Sequence, residues 1–148
     1  MSEQRTSEPD EGQRRNLEFV RSGLEAFQRG DVEAVLALID EDVEVFSSRE
    51  LANPGSYHGH EGFSTWLGQW LEAWDDFRIE ITELDHVGER HVVASIHQSA
   101  RGKSSGIPVE MDLAYMWEIR NEQVVGLCLY PTTEEALRIA AERDSGVE

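Results

Sequence analysis

The stretch GFSTWLGQWLEAWDDFRIEI, residues 62–81, changes its apolar period partway along. Phe63, Trp66, Leu67, Trp70, Leu71 and Trp74 step by threes and fours, which lays three indoles along one face of a helix. After Asp75-Asp76 the period becomes two: Phe77, Ile79 and Ile81 alternate with Arg78, Glu80 and Thr82, the pattern of a half-buried strand. A helix and a strand that each carry one apolar side bury those sides against each other, which predicts helix packed on sheet.

Downstream, three more strands are predicted at 91–101, 108–119 and 124–130. They are separated by Gly88-Glu89-Arg90, by Gly102 to Gly106 and by Arg120 to Gln123. Connections this short make an antiparallel meander. Pro131 ends the last strand. Thr132 with Glu135 forms a capping box ahead of Ala136, Leu137, Ala140 and Ala141, so a short helix closes the chain.

Upstream, Leu17, Val20, Leu24 and Phe27 predict a first helix over about 13–29, stopped at Gly30. Asp31 caps a second, whose Val32, Val35, Leu36 and Ile39 make one stripe before Asp40-Glu41-Asp42 breaks it. Val43, Val45 and Phe46 read as a short strand, and Ser47 to Gly59, with Asn53-Pro54-Gly55, as a loop. The expected domain covers 13–141. Residues 1–12, with one Met as their only apolar side chain, cannot repay ordering entropy and are expected to fray, and 142–148 form a flexible tail. This order gives an α+β fold: a cone-shaped, curved antiparallel sheet with the three N-terminal-half helices packed on its concave face, a cystatin-like roll. Three helices do not fill such a concavity, so a cone-shaped pocket is expected.

The chain has 148 residues with 30 Asp and Glu against 13 Lys and Arg. A net charge of −17 repels phosphate backbones and anionic lipid headgroups, which argues against nucleic-acid and membrane partners. A single cysteine, Cys128, makes no intrachain disulfide, and MSEQRTSEPDEGQRRN lacks the apolar run of a signal peptide. The expected compartment is the cytoplasm. Neither a GxSxG elbow, a phosphate-binding loop nor a dinucleotide fingerprint occurs, so nucleophilic and nucleotide-dependent chemistry lack support.

Phe27 to Asp31, Asp40 to Glu44, Tyr57-His-Gly-His-Glu-Gly62 and Tyr115 to Val125 together resemble the nuclear transport factor 2-like superfamily. Within it, the likeness is to the SnoaL-like group that includes ketosteroid isomerases and polyketide cyclases, and it covers residues 14 to about 141. The resemblance implies a cone with a ligand cavity at its wide end and a homodimer formed through the outer sheet face. It is specific for fold and unspecific for reaction, because the fold hosts several enzyme classes as well as binders. Anchored on Gly30-Asp31, the isomerase's helix-one tyrosine falls on Gly23, its general-base aspartate on Ser47, and its buried acid near Tyr115. Ser47 cannot serve as a base, and of the two oxyanion-donor positions only Tyr115 keeps a donor, so a steroid-type isomerase is disfavoured.

Site candidates follow from strand phase and chemistry. Leu113, Tyr115, Trp117 and Ile119 share one face of their strand and Asp112 takes the other, so the aromatics are the expected lining. His97 titrates in the working pH range and is the candidate base, with Tyr115 as oxyanion donor. The apolar phase around His97 occupies both faces and leaves its side open. Ser47, Tyr57, Trp66, Trp70, Trp117 and Tyr130 are the candidate ligand contacts. His58, His60 and Glu61 form an incomplete metal set, since a site needs three or four converging ligands; no metal or cofactor is expected. Cys128 reads as a buried, inert thiol. The expected partner is a small apolar or carbonyl-bearing organic molecule. Two functions stay open: cofactor-free isomerisation or cyclisation by proton transfer, and a non-catalytic binding or dimerisation module.

Overall fold

A computed structural model describes residues 10–48 and 55–144. The predicted tail residues 1–9, the turn residues Asn53 and Pro54, and 145–148 lie outside the described residues. The elements are α1 (Glu11–Gln28), α2 (Val32–Ala37), β1 (Ile39–Ser47), β2 (Gly55–His58), α3 (Gly59–Ala73), β3 (Trp74–Val87), β4 (His91–Gly102), β5 (Pro108–Arg120), β6 (Gln123–Tyr130) and α4 (Thr133–Asp144).

The six strands form one open, curved sheet in the order β2-β1-β6-β5-β4-β3. The meander β3 to β6 is antiparallel as predicted, and β1 adds to β6 in parallel, which makes the whole sheet mixed. Register breaks at Asp75/Arg78 and Ile81/Glu83 on β3, at Glu118/Ile119 on β5 and at Ile39/Glu44 on β1 supply the bends that curl it. β2 and β3 are opposite edges, and α3, which joins them, crosses the concave face. Fifteen residues at 1.5 Å each reach about 22 Å, close to the roughly 24 Å spanned by five strand spacings. That geometry is why the indole-rich face of α3 roofs the hollow.

Several boundaries move, each for a local reason. α1 begins at Glu11 because Asp10 and Gln13 form a capping box, so residues 10–12 are part of the fold. The acidic run Asp40-Glu41-Asp42 starts β1 instead of breaking a helix, and Ile39 belongs to that strand. Gly55–His58, predicted as loop, pairs with Glu44–Ser47. Trp74 is extended (φ −130°, ψ 140°), so it opens β3 and does not continue the helix.

α1 lies along edge strand β3 and is tied at its start to the β3–β4 turn and at its end to β3 itself. Gln13 Nε2 donates to the Gly88 carbonyl (2.7 Å) and Asn16 Nδ2 to that of Glu89 (2.9 Å). At the other end the Gln28 amide donates to the Phe77 carbonyl and accepts from the Ile79 N–H, which satisfies an exposed sheet edge much as another strand would. α4 covers the convex face instead, where Ala136 and Ala140 pack on Val93, Ala114, Met116, Cys128 and Tyr130. The Thr132 hydroxyl accepts from Glu135 N–H (3.2 Å) at its start. None of the described helices is long and apolar enough to cross a membrane.

Candidate functional site

Strand alternation divides the sheet into two chemically different faces. On β4, Val92, Ala94, Ile96 and Gln98 point into the cone, while His91, Val93, Ser95 and His97 point out. On β5 the inward set is Leu113, Tyr115, Trp117 and Ile119, as the alternation predicts.

The hollow under α3 is largely filled by its own side chains. A cavity of about 60 Å³ remains, well below the ~150 Å³ of an apolar cavity that admits benzene. Phe19, Gly23, Leu38, Trp66, Tyr115 and Trp117 are among its walls. The space exists because Gly23 has no side chain. A β-carbon there would only touch Leu38 Cδ1 at 3.5 Å. A second, much smaller void of about 10 Å³ lies among Trp70, Trp74, Phe77, Gln98 and Met111. Trp66 and Trp70 stack at 6.2 Å between ring centroids, and Tyr115 and Trp117 meet at 5.5 Å.

The Tyr115 hydroxyl donates to the Gln98 side-chain oxygen, both groups buried. Burial alone pushes the Tyr115 phenol well above its ordinary range, so it stays protonated. Among the described residues, the buried Ser47 hydroxyl and the Trp66 and Trp70 indole N–H groups have no hydrogen-bond partner.

Trp66, Tyr115 and Trp117 are therefore brought together at the main cavity, and Trp70 stands at the smaller void. Ser47 is buried on the concave side in register with Leu129 but lines neither space. Tyr57 sits on edge strand β2, half-buried, with its hydroxyl 3.4 Å from Gln69 Oε1. Two candidates lie on the wrong side. Tyr130 faces α4 on the convex surface, and its phenol is also raised, chiefly by burial. His97 faces outward because it is an odd-numbered residue on β4; its Nδ1 is 2.7 Å from Asp112 Oδ1 and its Nε2 3.2 Å from Glu110 Oε1. The Asp112 hydrogen bond raises its pKa above 6.5. His97 and Tyr115 stand on opposite faces of the sheet, so they cannot act on one substrate atom.

His58 and His60 separate: His58 Nδ1 lies 2.5 Å from Glu44 Oε2, and His60 Nε2 donates to the Ile39 carbonyl at 2.7 Å. Among the described residues no three His, Cys, Asp or Glu side chains stand together as metal ligands. Cys128 is buried, and burial is the main cause of its raised pKa. Sequence reasoning missed Gly23 as the origin of the space, although the resemblance had placed a side chain's loss there. It also missed Gln98, whose partner on the next strand no local pattern reveals.

A curled sheet with a roofing helix and an apolar hollow defines the cone-shaped α+β class. The family model described as the SnoaL-like domain matches residues 20–127, and the chain belongs to that family. No curated protein matches the chain. Among solved structures, an NTF2-like protein of unknown function from Burkholderia pseudomallei K96243 is 22% identical, with a TM-score of 0.71 over 84% of this chain and 96% of its own. TerC, co-crystallised with polyporic acid, is 19% identical, with a TM-score of 0.70 over 84% and 97%. A Catenulispora acidiphila DSM 44928 protein with a ketosteroid isomerase-like fold, in complex with trimethylamine, is 18% identical, with a TM-score of 0.68 over 88% and 94%. These likenesses concern the fold.

Proposed function

We propose that this protein is a non-catalytic binder that takes a small, largely apolar organic molecule into the cavity over Gly23. One observation carries the reading: among the described residues, the cavity wall is aromatic and aliphatic and includes no group that exchanges a proton near neutral pH. Tyr115, the one titratable member among the described residues, is protonated and already donates to Gln98. Proton-transfer chemistry needs a base within about hydrogen-bond reach of the substrate, and His97 stands behind the sheet. Transfer of an apolar group from water into such a space is favourable by about 25 cal/mol per Å². Small-molecule complexes of TerC and of the Catenulispora protein support a ligand-holding use of the fold. A second copy, if it docks on the outer face, uses the strip α4 leaves bare, where His97, Glu110 and Asp112 stand.

The test is a thermal-shift panel of small ketones, alcohols and arenes against the wild type and Gly23→Leu, whose side chain fills the cavity. A compound that raises the wild-type Tm with concentration and leaves Gly23→Leu unmoved supports the reading, since bound ligand adds RT ln(1 + [L]/Kd). Equal shifts in both proteins contradict it.

A further inference from the structure

The apolar cavity is not isolated. Two of its wall residues, Phe19 and Leu38, also line a groove of about 750 Å³ on the outside of the molecule. Both are half-buried, as residues at a mouth are. Helix geometry explains the sharing. Gly12, Arg15, Asn16, Phe19 and Ser22 follow one stripe of α1, and Phe19, Val20, Gly23 and Phe27 follow the next, so the stripes meet at Phe19. The far wall of the groove comes from Glu89 in the β3–β4 turn and from Ile119, Asn121 and Glu122 at the β5–β6 turn.

We infer that groove and cavity are two halves of one site, which takes an amphiphile: a short apolar end over Gly23 and a hydrogen-bond-donating head, alcohol or amine, in the groove. This rests on the proposed binding function and adds the ligand's class. Size requires the two halves, because a cavity of about 60 Å³ encloses only the end of an organic molecule. From Asn16 to Gly23 along α1 is about 10 Å at 1.5 Å per residue, the length of a six-carbon chain with its head group. Hydrogen bonding selects the head. The Gln13 and Asn16 amides already donate to the carbonyls of Gly88 and Glu89. The groove's charges are four carboxylates, Asp10, Glu18, Glu89 and Glu122, against the guanidinium of Arg15. A donor head meets acceptors there; a carboxylate head finds donors on Arg15, Ser22 and Asn121 but meets the net repulsion of four carboxylates against one guanidinium.

Three probes differing only in the head test this: hexan-1-ol, hexan-1-amine and hexanoate, titrated into the full chain and followed by amide NMR shifts. The expected result is shifts at both Gly23, in the cavity wall, and Asn121, on the far wall of the groove, with the alcohol and the amine, and at least tenfold weaker binding of hexanoate. In Glu18→Lys/Glu89→Lys the order of amine and hexanoate should reverse while the alcohol holds. Equal affinities for all three heads in both proteins, with shifts confined to the cavity and abolished by Gly23→Leu, overturn the two-part site and leave the binder intact. No binding by any probe, or binding indifferent to Gly23→Leu, overturns both.

Discussion

The same four strands of the meander present one face that is aromatic and roofed by α3, and another that is small, polar at its margin and covered by α4. Tyr115 and Trp117 alternate with Ala114 and Met116, one residue apart in sequence and on opposite sides in space. The concave face gathers large rings that leave a gap at Gly23, whereas the convex face brings two alanines of α4 close to the backbone and leaves its titratable residues at the rim. Capacity for a ligand thus goes with mismatched bulk, and sensitivity to pH with the covered rim.

Truncation of the roof should show the contrast most strongly. Trp70→Ala is expected to cost about 3–5 kcal/mol in denaturant unfolding, as deletion of a buried ring does; a loss under about 1 kcal/mol would remove Trp70 from the core. Crowding the tight convex contact comes next: Ala140→Leu should cost about 1–3 kcal/mol through overpacking. Tyr115→Phe is comparable or smaller, about 1–3 kcal/mol, because it strands the buried Gln98 oxygen. Unchanged stability there would mean that Gln98 finds another partner. Gly23→Leu should change stability least, since the added side chain enters space and a helical glycine is lost.

The convex rim predicts a pH response. His91 is buried under the end of α4 with both ring nitrogens unpartnered among the described residues, and burial lowers its pKa below 6.5 despite the nearby Glu118 and Asp144. The unfolded chain therefore binds the proton more tightly than the folded one, so stability is full above about pH 6.5 and falls as pH drops towards the lowered value. His97 has the opposite sign: its raised pKa favours the fold below pH 6.5, and that contribution fades as pH rises past the folded value. Tm measured from pH 5 to 8 should lose its acid-side slope in His91→Leu and keep it in His97→Gln. An unaltered slope in His91→Leu contradicts the assignment.

The sequence was legible where a period was long and unbroken. The indole ladder needed only its helical period, β3 only alternation, and the three later strands only apolar runs between short turns. β2 was not, because four residues on an edge carry no period and depend on β1 for their hydrogen bonds. The acidic start of β1 was hidden because Asp40 to Asp42 lie in the register break between the Ile39–Val124 and Glu44–Gly126 pairs, where no alternation marks a strand. At the site, Tyr115 and Trp117 were readable from phase on β5. His97 was not, since Val92, Val93, Ala94 and Ile96 are apolar on both faces: the inward set meets the cone and Val93 meets α4. A covered convex face erases the polar alternation that would have shown which way His97 points.

Xenon tests the central claim most directly, because it occupies apolar cavities without needing any polar contact. In crystals under xenon pressure, an atom is expected among Gly23, Leu38, Trp66 and Trp117, and it should vanish in Gly23→Leu. No xenon there in the wild type, or xenon unaffected by the leucine, would contradict the claim that the missing side chain at Gly23 opens a binding space.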